Sequence, residues 1–582
     1  MTSSSFPIND ALDAALARWE QYGRPGTPDT GFVLSRLPGR RTRGIYVAGS
    51  EQPIFEPDAH ILAMSPAPDG RRIALQLAER ADEDGVLAVL DTTSGNLRHY
   101  NDIHCRYEPM QWTPDARSLA VVARSPQRLV QVDVVHDEVT VEPVAGDARC
   151  RLFSAGIHML LAESRPASPT RLIRLDNSAR LGSFPSITGV FGINDGDVLV
   201  YGGNALHVLD AHSGVERWRW MDPAVRLTAV TVTGDTVHAS AVRAGASVLL
   251  RLAHGTVIDE WPVNSGGSVA SITDLGADGG RTYVVIEAPA VPPHVVTVDE
   301  RTRGGGAATV AGDFETVRHE FAADDGETLT VVVTSPKGLT GPAPTILTCY
   351  GGFGVPDLPV FEPTIPAWVE SGGRYATAHI RGGGEHGEQW RRAGYGAGKR
   401  RGIDDLADAA RGLAGADLTN PELLVLAGAS HGGTVVASCA LDHRGICTGF
   451  ATTAAPLDLL SLEKHPLGRI WLDEFGDTSS PEGTQELRAI SPLDRAKMID
   501  PEHRLPRFLG IVLAEDSRVN PDDSYALASV LREAGAEALV WEAPHAGHGS
   551  NHLDSLHSMG SVLLSFAAHT TRRTRSSEGR HA

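Results

Sequence analysis

Residues 423–433 read LLVLAGASHGG. A short apolar run ends in a serine between small residues, and the helix-compatible TVVASCAL (434–441) follows. An apolar run of this length closed by glycine fits a buried strand. Gly428-Ala429-Ser430-His431-Gly432 matches G-x-S-x-G, in which the serine sits on a strained turn between strand and helix. Small neighbours are needed there because the backbone packs closely. In a chain with 62 glycines the pentapeptide alone is a weak sign, and a plain tight turn stays open as the other reading.

Outward from the serine, strands alternate with helical segments. The strands are PTILTCY (344–350), RYATAHI (374–380), LLVLAGAS (423–430), FLGIVLAED (508–516) and EALVWEAP (537–544). Helical patterns fall near 402–415, from 431, and near 522–535. FETVRHEFAADDGETLTVVVTSP (314–336) precedes them as a β-hairpin. This alternation predicts a mostly parallel sheet with helices on both faces.

A serine nucleophile in such a sheet needs an acid and a histidine on loops after later strands. Asp516 closes FLGIVLAED, and His548 lies in PHAGHGS just after ALVWEAP. The order Ser, Asp, His is the one used by α/β-hydrolases. A serine hydroxyl is a poor nucleophile at neutral pH, so His548 would take its proton. Asp516 would hold the imidazole tautomer and stabilise the imidazolium. Glu515 and Asp522 compete with Asp516 for the acid, and His545 competes with His548. The joint placement favours a Ser430, Asp516, His548 triad.

The first half of the chain has a different texture. Residues 9–21, NDALDAALARWEQ, have helical periodicity, with Asn9 or Asp10 as the cap. Short β-type runs then continue to about residue 311, broken by Asp, Gly, Ser and Pro. A repeat runs through them, in which an apolar run ends at a turn and a second short strand follows. The turns fall at Ala48, Asp91, Asp133, Asp176, Asp210, Ala253 and Asp299, spaced 43, 42, 43, 34, 43 and 46 residues apart. That is the period of a propeller blade, and seven copies predict seven blades. An earlier hairpin also recurs, as SPAPDGRRIAL (65–75) and WTPDARSLAV (112–121). The expected organisation is a helical segment over 1–29, a β-propeller over 30–311, an α/β-hydrolase domain over 312–570 and a disordered tail over 571–582.

Composition narrows the function. The net charge of −20 argues against nucleic acid and anionic membrane as partners. The five cysteines show no CxxC and no Cys/His ligand spacing, so no disulfide framework and no metal site is expected. The Gly382–Gly384 run is followed by no Lys-Ser/Thr, so it is not a phosphate loop. No cofactor is called for. The N-terminal residues lack a basic start before an apolar core, and no apolar run approaches a membrane span. A cytoplasmic protein is expected.

Several stretches together resemble the prolyl oligopeptidases, serine peptidases in which a seven-bladed propeller caps an α/β-hydrolase domain. They are Tyr350-Gly-Gly-Phe353, His379-Ile-Arg-Gly-Gly-Gly-Glu-His-Gly387, Gly428-Ala-Ser-His-Gly-Gly433, Gly468-Arg-Ile-Trp471, Phe475-Gly476, Asp516-Ser-Arg518-Val519 and Ala546-Gly-His-Gly549. They cover most of residues 313–550 in family order. The resemblance implies that the N-terminal helix packs back on the catalytic domain. It implies that Tyr350 and the backbone N–H of His431 form the oxyanion hole. It implies an apolar S1 pocket for proline from Trp471, Phe353, Phe475 and Val519, with Arg518 bonding substrate carbonyls. Arg381 is read as a loop-fixing residue. The chain departs from the family at His431, where asparagine is common, and at Ser517, which is often acidic. The resemblance implies a monomeric post-proline endopeptidase acting on short peptides. The alternatives are the same chemistry in leader removal or macrocyclisation, an esterase or acylaminoacyl peptidase of this fold, and a propeller scaffold without activity.

Overall fold

Aspartates shape the repeat. Asp91 Oδ1 accepts from the amides of Thr93 and Ser94, and Asp210 Oδ1 from those of His212 and Ser213. Asp133 does the same for Val135 and His136. Such side-chain turns reverse the chain without help from distant residues, which is why the period shows in the sequence. The computed structural model describes residues 7–578 apart from 125, 145–147, 166–167, 194–195, 266–267, 299–311, 477, 500–504 and 550.

Seven antiparallel sheets of three or four strands follow one another over residues 32–298, forming a seven-bladed β-propeller, with a small two-stranded sheet, Asn264–Ser265 and Ser268–Val269, before the last of them. The first has three strands, Phe32–Ser35, Gly44–Val47 and Pro53–Phe55. The next five have four each, and the last has Ser271–Asp278, Arg281–Ala288 and Val291–Val298. Each described repeat turn sits before the last strand of its sheet; Asp299 lies outside the described residues. The 34-residue interval ends in the compact sheet Gly189–Met221, whose strands are only four to six residues long. Successive blades bury apolar faces against each other, as Leu87 and Val89 do with Leu119 and Val121. Thr27, in the segment ahead of the first blade, donates from N and Oγ1 to Asp274 Oδ2 in the last blade at 2.8 and 2.9 Å.

The second domain is built on one eight-stranded sheet. The hairpin Phe314–Ala322 and Thr328–Pro336 is antiparallel and leads onto the strand Arg374–His379. From there Thr345–Thr348, Leu424–Ala429, Gly449–Thr453, Arg507–Leu513 and Ala538–Ala543 run parallel. Apolar clusters cover both faces. The strands Leu424–Ala429 and Arg507–Leu513 are nearly continuous apolar runs because neither face meets water.

The helix Asp10–Trp19 packs on this domain, against the helices Thr364–Glu370 and Leu553–Glu578. Asn9 caps it by accepting from the amides of Ala11 and Leu12. Leu12, Ala15, Leu16 and Trp19 are buried in the cluster that also holds Ile365, Trp368 and Phe566. Trp19 Nε1 donates to Glu370 Oε2 at 2.9 Å.

The C-terminal segment corrects the expected tail. The helix Leu553–Glu578 runs through residues 571–578, and only 579–582 lie outside the described residues. Val562, Leu564, Phe566 and Ala567 are packed on the sheet, so the helix is already nucleated, and each further residue adds a bond at low entropic cost. Polarity alone therefore marked the wrong boundary. No described helix is long and apolar enough to cross a membrane.

Candidate active site

Ser430 stands between the strand Leu424–Ala429 and the helix His431–Asp442, with φ 51° and ψ −125°. A non-glycine residue in such a conformation costs roughly 1–3 kcal/mol and persists only where its surroundings impose it. Here its amide donates to the Thr453 carbonyl at 2.8 Å. The flanking glycines are required by close packing. A Cβ on Gly428 would lie 2.3 Å from the Gly432 carbonyl oxygen, and one on Gly432 would lie 2.2 Å from that of Cys349. The plain tight turn is thus excluded as the whole account: the turn is strained, and it points a hydroxyl at a histidine.

His548 Nε2 lies 3.1 Å from Ser430 Oγ, and its Nδ1 lies 2.9 Å from Asp516 Oδ2. Asp516 Oδ1 accepts from the amides of Arg518 and Val519 at 2.8 and 2.9 Å. One carboxylate oxygen is therefore held by the loop while the other faces the imidazole. The competing residues fall elsewhere. The His545 side chain is 88% exposed, 3.6 Å from Glu515. Glu515 Oε2 accepts the amide of Ala81 in the propeller at 2.6 Å. Asp522 opens the helix Asp522–Glu533.

Tyr350 follows the strand Thr345–Thr348, and its side chain hydrogen-bonds Ser430. Burial pushes the phenol up from its ordinary value, so it stays a donor. The His431 amide is the first of its helix, where the leading N–H groups have no intrahelical carbonyl. An anion at this point would meet both donors.

Phe353, Phe475 and Trp471 belong to one apolar cluster beside the nucleophile helix, and Val519 is buried on the Asp516 loop. Phe353 and Phe475 meet edge-on with centroids 6.4 Å apart. Trp471 is half-buried and stands 5.8 Å from the His465 ring. Phe353 has φ 57°, held by its amide donating to Glu474 Oε1 at 2.8 Å. Glu474 is itself paired with Lys399, and both are almost fully buried. Arg381 forks onto Asp405 and Asp325 and fixes its loop.

Arg518 is engaged rather than open. Its Nε and one terminal nitrogen bond the two oxygens of Glu83, a fully buried propeller carboxylate that also pairs with Arg106. Arg106 in turn donates to Ser517 Oγ at 3.0 Å. Glu83, Arg106, Lys399 and Glu474 were not found in the sequence. Glu83 sits in a plain acidic turn, ERADED (79–84), and nothing local marks it.

A serine on a strained elbow, relayed through histidine to aspartate, defines a triad of the α/β-hydrolase type, here joined to a seven-bladed propeller. Residues 359–572 match the profile described as the Prolyl oligopeptidase family. The chain is 30% identical over 254 residues to a prolyl endopeptidase of Elizabethkingia meningoseptica, covering 42% of this chain and 36% of that protein. It is 27% identical over 294 residues to a peptidase of Sinorhizobium fredii, covering 49% and 40%. A dual function macrocyclase-peptidase of Galerina marginata is 30% identical over 224 residues, covering 38% and 30%. The chain thus spans 40% or less of the length of these curated relatives. In three dimensions the likeness reaches further. A solved prolyl endopeptidase superposes with a TM-score of 0.85 at 21% identity, covering 98% of this chain and 92% of that one. Prolyl oligopeptidase B from Galerina marginata, bound to a 35mer substrate, gives 0.81 at 16% identity, covering 97% and 91%. At these identities the likeness is one of fold.

Proposed function

We propose that this chain is a serine oligopeptidase that cleaves short peptides on the carboxyl side of proline. The observation that carries the reading is the Ser430–His548–Asp516 relay, 3.1 and 2.9 Å per step, beside an aromatic cluster. Ser430 Oγ attacks the carbonyl carbon while His548 takes its proton. The carbonyl oxygen becomes an oxyanion facing Tyr350 and the His431 amide, and each such donor contributes on the order of 3 kcal/mol to the barrier reduction. Collapse breaks the C–N bond, His548 returns the proton to the leaving amine, and an acyl-enzyme remains on Ser430. Water activated by His548 then releases the acid.

Proline offers S1 a rigid ring and no N–H, so a flat apolar slot of Trp471, Phe353, Phe475 and Val519 selects it by shape and burial. Propeller residues Ala81 and Glu83 reach the catalytic loops, so the propeller works as a lid that admits short flexible chains and shuts out folded proteins. The protein acts as a monomer, without cofactor, on peptides. Five free, buried cysteines fit the reducing cytoplasm.

The Galerina relative, described as both macrocyclase and peptidase, favours a second reading. The acyl-enzyme would be released by the amine of the same peptide, giving a cycle instead of an acid.

The test is steady-state cleavage of blocked peptides with Pro, Ala, Arg or Phe at P1, by wild type and Ser430→Ala. Preference for Pro that vanishes in Ser430→Ala is expected. Preference for Ala or Phe would remove Trp471 from the specificity role, and silence on all four would sink the general peptidase reading. Product mass separates hydrolysis from cyclisation, because the cycle is lighter by one water.

A further inference from the structure

The His431 side chain follows the nucleophile directly, and the triad chemistry does not use it. The residue is 2% exposed. Its Nδ1 lies 2.7 Å from the Tyr350 carbonyl oxygen. A carbonyl only accepts, so Nδ1 carries a proton and donates. Its ring centroid is 5.7 Å from Tyr350, 5.8 Å from Phe353 and 5.2 Å from Phe475. Gly352 lies against the imidazole so closely that a Cβ there would come within 2.7 Å of His431 Cγ and Nδ1. One imidazole therefore touches the main chain of the oxyanion tyrosine and both phenylalanines assigned to S1.

Its second nitrogen completes the picture. Nε2 is buried and has no hydrogen-bond partner among the described residues. Burial pushes the imidazole well below its ordinary value, and the Lys399 cation adds to this. The ring is neutral, and its tautomer is fixed by the Tyr350 carbonyl. A buried acceptor without a partner disfavours folding. The position keeps it beside the site all the same, where an all-carbon ring would pack without that loss.

We propose that His431 is a positioning residue that couples the S1 pocket to the oxyanion hole. Its Nδ1–H clamps the Cys349–Gly352 segment so that the Tyr350 phenol faces Ser430, while the same ring backs Phe353 and Phe475. The proposal rests on the reading of Ser430 as nucleophile. A P1 side chain pressed against the two phenylalanines bears on the ring that fixes Tyr350. Fit at P1 is then expressed in turnover as well as in binding, which is where transition-state discrimination shows.

Two variants separate the parts of the ring. His431→Phe keeps an aromatic ring and removes the donor; His431→Asn places an amide N–H near Nδ1 and removes the rest. Both are measured on Pro and Ala P1 peptides, by thermal melting, and by the inactivation rate with a fluorophosphonate. That probe bonds its phosphorus to Ser430 Oγ, expels fluoride, and needs the oxyanion hole but no proline. For His431→Phe, kcat and the inactivation rate should each fall about tenfold with KM unchanged, as for a lost hydrogen bond. His431→Asn should retain more of kcat than His431→Phe does, because its amide restores part of the clamp, and should lose Pro-over-Ala discrimination. In a Tyr350→Phe background, His431→Phe should cost nothing further, because two residues acting through one group are not additive.

Additive losses, a wild-type kcat in His431→Phe, or a lowered melting temperature with unchanged kinetics would each overturn the coupling. If wild type reacts with the probe but cleaves no peptide, the peptidase reading fails, and the probe rates in the same variants still decide the coupling. If the probe does not label Ser430, both fall.

Discussion

Arg518 in the catalytic loop and Glu83 in the propeller form a two-point ion pair across the domain boundary, at 2.9 and 2.6 Å. Arg518 lies two residues beyond Asp516, so the propeller is bonded to the loop that carries Asp516. Burial alone would raise the Glu83 carboxyl; its bonds to Arg518 and the charge of Arg106 outweigh that and hold it below the ordinary range. A carboxyl lowered in the folded state stabilises the contact above its unfolded value, and that stabilisation is lost as pH falls through the folded value. Glu83→Gln leaves two arginines facing a neutral group. It should speed cleavage of peptides too long for the closed enzyme and raise susceptibility to limited proteolysis between the domains. Wild type brought to acid pH should move toward the behaviour of Glu83→Gln on both counts, because protonation of Glu83 weakens the same pair. Equal rates on long and short peptides in Glu83→Gln and wild type would show that this pair does not hold the lid.

The relay predicts a specific pattern of loss. Asp516→Asn should lower kcat by roughly 10⁴-fold with little change in KM, because the imidazole loses its tautomer anchor. Ser430→Ala should lose on the order of 10⁶-fold, and the double variant should be no worse than Ser430→Ala. Activity in Asp516→Asn near that of wild type would pass the acid role to Glu515.

What was legible followed from local chemistry. The blade period showed because Asp91, Asp133 and Asp210 build their turns from their own neighbours. The elbow showed because Gly428 and Gly432 have no room for a Cβ. The strand Gly449–Thr453 was missed: GFATT is short and threonine-rich, and only its central place between Leu424–Ala429 and Arg507–Leu513 makes it a strand. Glu83 and the Lys399–Glu474 pair were missed for the same reason. Each acts on a residue dozens to hundreds of positions away, and no spacing rule encodes that.

Trp471 gives the test of the pocket. Trp471→Ala should reduce kcat/KM on Pro peptides by 1–3 kcal/mol, about 10- to 200-fold, and on Ala peptides far less. Because Trp471 is half-buried and outside the tightest part of the cluster, the fold should survive. Equal losses on the two substrates would make it a packing residue. The measurement is a competition assay with both peptides in one vessel, which cancels any difference in active enzyme.

A pH signature is built into the seam beside the sheet end, where the Gly245 amide of the propeller donates to the Glu385 carbonyl at 2.8 Å. Burial pushes His379 down to about 3, with His386 and Arg318 adding to the effect, and pushes His386 down to about 4, with Arg318 adding to it and Glu320 opposing it. Burial pushes Glu385 up to about 8 and Asp357 up to about 7. The histidines are kept neutral, so their burial is favourable above the unfolded value of 6.5 and is lost as pH falls toward 3 to 4. The carboxyls are kept protonated, so their contribution is full below about 4 and is lost as pH rises toward 7 to 8. The two trends oppose each other, and the melting temperature should peak at mildly acidic pH and decline on both sides. Glu385→Gln keeps the shape and the hydrogen bonding while removing the titration. It should flatten the alkaline decline and leave the acid one in place. An unchanged alkaline limb in Glu385→Gln would place the responsible group elsewhere, with Asp357→Asn the next variant to melt.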